Sequence, residues 1–145
     1  MGGLPSEVVT EILIASDSRP LIDELTSVLG EPDTTVRSVD SGAAVRGAVR
    51  DLEPDLVVLD LQIGSMGGMA AALDLAMEAE AGRLPEVPVL LLLDRSADIF
   101  LARHSNVEGW LVKPLDALRI RRATRALMAG ERYEEGSIAS LRPAL

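Results

Sequence analysis

The feature that most constrains the fold is the regular alternation of short apolar runs with longer segments that have helical spacing. Four of the five runs are almost continuously apolar, which is typical of strands buried on both faces of a parallel sheet. The second run alternates between apolar and polar residues, which suits an edge strand. In chain order the runs are residues 11–16, 35–39, 55–60, 88–93 and 109–112.

The segments between these runs place apolar residues three and four positions apart, as one face of a helix requires. Gly or Pro follows several of them, which is typical of helix ends. Five helices are predicted in this way, within residues 21–29, 44–52, 69–80, 97–104 and 115–127. Strands that alternate with helices predict an α/β fold: a doubly wound, five-stranded parallel sheet with five helices.

A chain of 145 residues fits one domain, and the sequence shows no linker, internal repeat or second domain. We assign residues 1–10 to an N-terminal extension and residues 11–130 to the α/β domain. Residues 131–145 have no clear periodicity, so they are predicted to form a flexible C-terminal tail.

Composition excludes several classes of function. The formal net charge of −9 disfavours direct binding to nucleic acid or to anionic membranes. The chain has no cysteine and one histidine, His104, which excludes thiolate and multi-histidine metal sites. No apolar run approaches the ~20 residues of a membrane helix, and the N-terminus lacks the pattern of a signal peptide. The sequence therefore predicts a cytoplasmic protein without membrane insertion.

Polar residues follow the predicted strands at their carboxyl ends, where sites form in parallel sheets. Asp17, Asp60 and Asp94 follow the first, third and fourth strands or end them, and Lys113, the only lysine, follows the fifth. Two close carboxylates favour a cation between them, and Mg²⁺ suits a small site of oxygen ligands. Together with a lysine, such a site fits phosphoryl transfer onto an aspartate, here Asp60.

Each of these residues also has an ordinary structural interpretation. An aspartate at a strand end often caps a helix or closes a turn, and Ser18 competes with Asp17 for the cap of the first helix. Lys113 could equally be a solvated residue at a strand end. The glycines after Asp60 match neither common nucleotide-binding loop, so a nucleotide site is not predicted.

Four stretches in this order resemble the receiver domain of two-component response regulators over residues 11–130. They read "ILIASDS", "PDLVVLDLQIGSMGG", "VPVLLLLD" and "GWLVKPLD". The resemblance implies flavodoxin-like strand order 2-1-3-4-5, a phosphoacceptor at Asp60 and a phosphate-contacting lysine at Lys113. It also implies Mg²⁺ held by Asp17, Asp60 and the backbone carbonyl of Gln62, and a cis peptide bond before Pro114.

The chain departs from the pattern of the family at several positions. Ser16 replaces the first of two adjacent acids, which should weaken Mg²⁺ binding. Leu93 replaces the hydroxyl residue that reports phosphorylation, and Asp94 would repel a phosphate if it faced the site. Trp110 stands at the aromatic switch position, although it could also be an ordinary packing residue. The loop after the third strand has glycines where the family has Pro and an acid, at Gly64 and Gly67.

The resemblance implies a single-domain response regulator that is not an enzyme and has no DNA-binding output domain. Its partners would be a histidine kinase or phosphotransfer protein, which phosphorylates Asp60, and a downstream protein target. The signal would be read on the face formed by the fourth helix, fifth strand and fifth helix. That last helix carries four arginines that are either solvated or meet an acidic partner or a second copy of the chain: Arg119, Arg121, Arg122 and Arg125.

Three alternatives remain open from the sequence. A pseudo-receiver that binds partners without phosphorylation is the main one, and Ser16 and Leu93 favour it. A dehalogenase-like phosphatase or phosphotransferase would need a second aspartate at the position of Gln62. A flavodoxin would need a Ser/Thr-rich phosphate loop, which "SDSRP" does not match.

Overall fold

The computed structural model describes residues 9–64 and 67–136. Six strands and five α-helices are present in the described residues. The strands are β1 (Thr10–Ala15), β2 (Thr34–Val39), β3 (Leu56–Asp60), β4 (Val89–Leu93), β5 (Gly109–Val112) and β6 (Tyr133–Glu134). The helices are α1 (Arg19–Leu29), α2 (Val45–Leu52), α3 (Gly68–Glu80), α4 (Ile99–Arg103) and α5 (Ala117–Met128).

The strands form one parallel sheet in the order β2-β1-β3-β4-β5-β6. The class of fold and the order of the first five strands are those predicted from the sequence. β2 is half-exposed at one edge, as its alternating pattern indicated. This order places the carboxyl ends of β1, β3, β4 and β5 side by side, so the residues that follow them share one edge.

The predicted count of five strands is wrong by one. The sixth strand lies within residues 131–145, which were predicted to be a flexible tail, and it pairs Tyr133 with Gly109 and Glu134 with Trp110. A two-residue strand is too short to show a period in the sequence, so only its docking against β5 reveals it. Residues 137–145 lie outside the described residues, and the same is true of residues 1–8.

Two apolar layers cover the two faces of the sheet, because successive side chains of a strand point to opposite faces. Leu13 and Val57 face α2, α3 and α4, whereas Ile12 and Val58 face α1 and α5. Since both faces are covered, the central strands are buried along their whole length, which explains their continuous apolar runs.

Two helix starts bear on the functional residues. The Ser18 side chain caps α1 by accepting a hydrogen bond from the Leu21 backbone, so the cap does not use Asp17. The Asp116 side chain caps α5 by accepting one from the Arg119 backbone. Across residues 9–64 and 67–136, every helix is too short or too polar to cross a membrane.

Candidate functional site

Asp60 and Lys113 form the centre of the site at the carboxyl edge of the sheet. Asp60 is the last residue of β3 and is only 3% exposed. Lys113 follows β5, and its Nζ lies 2.8 Å from Asp60 Oδ1 and 3.0 Å from Asp94 Oδ1. The strand order brings these residues together although they are 53 and 19 positions apart in the chain.

Three donors hold the Asp60 carboxylate in one orientation. Besides Lys113, the Gln62 backbone N–H donates to Oδ1 at 3.2 Å and the Ser16 hydroxyl donates to Oδ2 at 2.8 Å. Ser16 is fully buried, and its Oγ accepts a hydrogen bond from the Ser18 backbone. Sequence reasoning treated Ser16 only as a lost acid, whereas the structure shows a neutral group that fixes Asp60.

The Lys113 side chain is charged in this setting. Burial by itself would lower its pKa, but hydrogen bonds to Asp60 and Asp94 outweigh that effect and raise the pKa above its ordinary value. The Lys113 backbone N–H donates to Leu93 O at 2.8 Å, which holds the lysine against the end of β4. The Lys113–Pro114 peptide bond is cis.

The end of β4 carries no hydroxyl group. Leu93 is completely buried in the apolar layer that faces α2 and α3. Asp94 follows it and shares the Lys113 ammonium with Asp60, while its Oδ2 is buried without a hydrogen-bond partner in the described residues. Asp94 therefore faces the site, which is the orientation in which it would oppose a phosphate on Asp60.

Asp17 lies at the same edge and contacts the loop after β3. Its Oδ2 accepts a hydrogen bond from the Gly64 backbone N–H at 3.1 Å, and its side chain is otherwise exposed. The described residues contain no group of three or more His, Cys, Asp or Glu side chains that could hold a metal ion. Asp17, Asp60 and the Gln62 carbonyl are all oxygen ligands, which Mg²⁺ accepts when water completes its shell. The residues therefore fit Mg²⁺ in kind, with two carboxylates at most.

A close backbone contact positions the loop after β3. A Cβ atom at Gly68 would lie 2.6 Å from the Asp60 carbonyl oxygen and 2.8 Å from the Leu61 Cα. Only glycine permits α3 to begin this close to the backbone of Asp60. The neighbouring Gly67 has ordinary space, since its Cβ would lie 3.8 Å from the nearest atom.

The predicted switch residue and the arginines of α5 have different surroundings. Trp110 is fully buried, and its indole N–H donates to the Glu135 carbonyl at 2.7 Å.

Three of the four arginines of α5 are exposed, as a partner face requires: Arg121, Arg122 and Arg125. Arg119, assigned to the same partner face, is only partly exposed, and its guanidinium binds Glu135 at 2.6 Å. Sequence reasoning missed Glu135, because its segment has no periodic pattern.

The strand order 2-1-3-4-5, with an aspartate ending β3 and a lysine after β5, is the arrangement of a receiver domain. Residues 12–125 match the response regulator receiver domain family, and the chain belongs to that family. It is therefore a receiver domain of the kind used in two-component signalling.

Curated relatives are similar to this chain in sequence, and solved structures are similar to it in fold. The chain is 25% identical over 122 residues to the protein PilH of Pseudomonas aeruginosa. That match covers 84% of this chain and all of PilH. It is 27% identical over 132 residues to the DNA-binding response regulator MtrA of Mycobacterium tuberculosis. That match covers 90% of this chain but only 55% of MtrA, so the chain spans about half the length of that relative. The isolated receiver domain of RcsB from Salmonella enterica, solved with a phosphomimetic BeF3−, has the same fold. Its TM-score is 0.74 at 15% identity, and the match covers 93% of this chain and 99% of RcsB's.

Proposed function

We propose that this receiver domain accepts a phosphoryl group on Asp60 and transmits the signal by protein–protein contact. The observation that supports this most directly is the Lys113 ammonium, 2.8 Å from a carboxylate that is 3% exposed and held by two further donors. A carboxylate fixed in this way needs little reorganisation before it attacks a phosphorus atom.

In the transfer, an oxygen of Asp60 forms the new O–P bond while the bond between phosphorus and the donor breaks. The donor keeps the electron pair of the broken bond, so a phosphohistidine donor leaves as neutral imidazole once its ring has taken up a proton. Lys113 is placed to neutralise charge on the phosphoryl oxygens. Mg²⁺, when bound, would neutralise further charge, and Asp17, Asp60 and the Gln62 carbonyl are the residues that would hold it.

The proposed partners follow from membership of the family. A histidine kinase or phosphotransfer protein would supply the phosphoryl group, and a downstream protein would read the result. Arg121, Arg122 and Arg125 on α5 offer an exposed basic surface to an acidic partner or a second copy of the chain. The net charge of −9 argues against direct contact with nucleic acid.

Intact mass after incubation with acetyl phosphate and Mg²⁺ tests the proposal. We expect the wild type to gain one phosphoryl group, Asp60→Asn to gain none, and chelation of Mg²⁺ to reduce the gain. The Asn side chain keeps the size of Asp60 but is not a nucleophile. Failure of the folded wild type to be labelled, beside a receiver domain that is labelled, would contradict phosphoryl transfer to Asp60.

A second candidate function is a pseudo-receiver that binds its partner regardless of phosphorylation. The specific observation in its favour is the ion pair between Asp94 and Lys113. A phosphoryl group on Asp60 would need the same lysine ammonium. Leu93 also lies in the core and provides no hydroxyl group at the end of β4. In such a protein Asp94 would supply a permanent negative charge beside Asp60.

Asp94→Asn tests whether Asp94 opposes phosphorylation, which is the observation behind the second function. Removal of a negative charge a few ångströms from a phosphoryl group should raise the yield or lifetime of phosphorylated protein by about tenfold, since exposure reduces the Coulomb term to ~1.4 kcal/mol. Labelling time courses with acetyl phosphate measure this directly. Asp40→Asn is the control, because it makes the same change in net charge at the exposed end of β2. Equal labelling of the two variants would show that Asp94 does not oppose phosphorylation.

A further inference from the structure

Residues 131–136, here called the C-terminal strap, cover the outer edge of β5. The strap begins where the Glu131 N–H donates to Ala126 O of α5, and the Tyr133 N–H then donates to Glu108 O beside β5. Its strand β6 adds the outermost strand to the sheet. The strap therefore connects the end of α5 with the edge of the sheet.

The edge of β5 allows the backbone of the strap to approach it closely. A Cβ atom at Gly109 would lie 2.6 Å from the Tyr133 carbonyl oxygen, so the strap can approach only because this residue is glycine. At the other end, Gly136 has a φ of +65°, and a Cβ there would lie 2.5 Å from the Ile99 side chain of α4. Two glycines, one in β5 and one in the strap, thus permit this contact.

The Glu135 carboxylate of the strap accepts three hydrogen bonds, two from a guanidinium and one from a backbone N–H. Arg119 Nε lies 2.6 Å from Glu135 Oε2, Arg119 Nη2 lies 2.6 Å from Oε1, and the Val112 N–H donates to Oε1 at 2.9 Å. The carbonyl of the same residue accepts from the Trp110 indole N–H at 2.7 Å. A bidentate arginine and two further N–H donors form a specific site for an acidic residue that directly follows a short strand.

Arg119 has partners that do not belong to the strap. Its guanidinium donates to Val112 O and Pro114 O, each at 2.7 Å, and to Asp116 at 3.2 Å. These contacts orient the arginine within the domain, so the site for a carboxylate does not depend on the strap for its geometry. The strand part of the strap is short, because β6 has two residues, and Glu134 is exposed.

We propose that the outer edge of β5 is a docking groove for an extended acidic segment of a partner protein, and that the strap occupies it in the free protein. The partner segment would add a parallel strand beside Gly109 and Trp110 and would place a carboxylate on Arg119 and the Val112 N–H. Displacement of the strap would also expose Trp110. This inference goes beyond phosphorylation of Asp60 and is tested without a phosphoryl donor.

The fluorescence of Trp110 reports the state of the groove, because it is the only tryptophan in the chain. We expect Glu135→Gln in the full chain to increase quenching by acrylamide. Loss of one charge-assisted hydrogen bond should raise the population with an undocked strap at least roughly tenfold. Glu134→Gln is the matched control, since Glu134 has the same charge and its carboxylate binds Arg132 within the strap. Far-UV circular dichroism confirms that each variant is folded.

A second variant tests the same docking without a change of charge. Gly136→Ala imposes a side chain at a left-handed φ and against Ile99, so it should increase quenching in the same way. Quenching that remains at the wild-type level in both Glu135→Gln and Gly136→Ala would overturn the proposal, because the strap would then not control access to Trp110.

A synthetic peptide with the sequence of residues 131–136 tests whether the groove accepts an occupant from outside. Added to Glu135→Gln, it should restore the protection of Trp110 in a saturable way, whereas the peptide with Gln in place of Glu135 should not. Equal effects of the two peptides, or no effect of either, would overturn the proposal and make the strap a fixed part of the fold. Dimerisation of the wild type that Glu135→Gln abolishes would also overturn it, because the occupant would then be a second copy of the chain.

Discussion

Lys113→Met is expected to lower the free energy of unfolding by about 3 kcal/mol, because it leaves two carboxylates without their cation. Asp60 is 3% exposed and cannot regain its solvation by turning outward. Asp94 also loses its partner, although it is about a third exposed and suffers less. Methionine approximates the length of the lysine stem, so the loss of packing is small. Urea denaturation at neutral pH measures the change.

The double variant Lys113→Met with Asp60→Asn is the matched control. It removes the buried charge together with its partner, so it should be more stable than Lys113→Met alone. A loss below about 1 kcal/mol for Lys113→Met would indicate that the pair behaves as a surface salt bridge. In that case the carboxylate of Asp60 would be less confined than its exposure indicates.

Gly68→Ala is expected to lower the free energy of unfolding by about 2 kcal/mol, because the added methyl group meets backbone atoms. The Asp60 carbonyl oxygen would lie 2.6 Å from the new Cβ, and a backbone atom cannot change its rotamer to move away. The start of α3 must therefore shift away from the end of β3. Since this shift disturbs the loop after Asp60, phosphorylation by acetyl phosphate should also slow.

Gly67→Ala provides a control one residue away in the same loop. Its Cβ would lie 3.8 Å from the Leu61 carbonyl oxygen, an ordinary contact, and its φ of −58° suits alanine. The cost at this helix start should stay below about 1 kcal/mol. If the two variants are equally stable in thermal or urea denaturation, the close approach of α3 to Asp60 does not constrain the loop.

The docking groove and the phosphoacceptor site share a short piece of backbone. Arg119 donates to the carbonyls of Val112 and Pro114, which flank Lys113 on both sides. Lys113 in turn contacts Asp60. A change in the position of Lys113 would therefore be transmitted by direct contacts to Arg119, which binds the strap. Any coupling of affinity between the two sites would have to be reciprocal.

The central sheet and its edge site could be predicted because their signals are local and repeated. A short, continuous apolar run such as that of β3 predicts a strand that is covered on both faces. Once parallel strands are inferred, their carboxyl ends must meet, and Asp60 and Lys113 are placed together without any knowledge of the distances. Lys113 also stood out as the only lysine of the chain.

Other features of the structure could not be predicted from the sequence, because they depend on contacts between residues far apart in the chain. Ser16 appeared to be only a missing acid until its hydroxyl was found to donate to Asp60, 44 positions away. Arg119 looked like one of four surface arginines, since nothing in a helical pattern shows that Glu135 returns to meet it. The strap itself has too few residues to form a pattern.

The sequence by itself determined the class of fold, the order of its elements and the edge at which the site lies, because burial on both faces imposes a hydrophobic pattern on every strand. Only the tertiary structure decided which groups hold Asp60, that Asp94 shares its lysine, and that residues 131–136 close the edge of β5. These outcomes depend on hydrogen bonds and steric contacts a few ångströms long between distant segments. Such contacts leave no period in a linear sequence, and they exist only when the chain has folded.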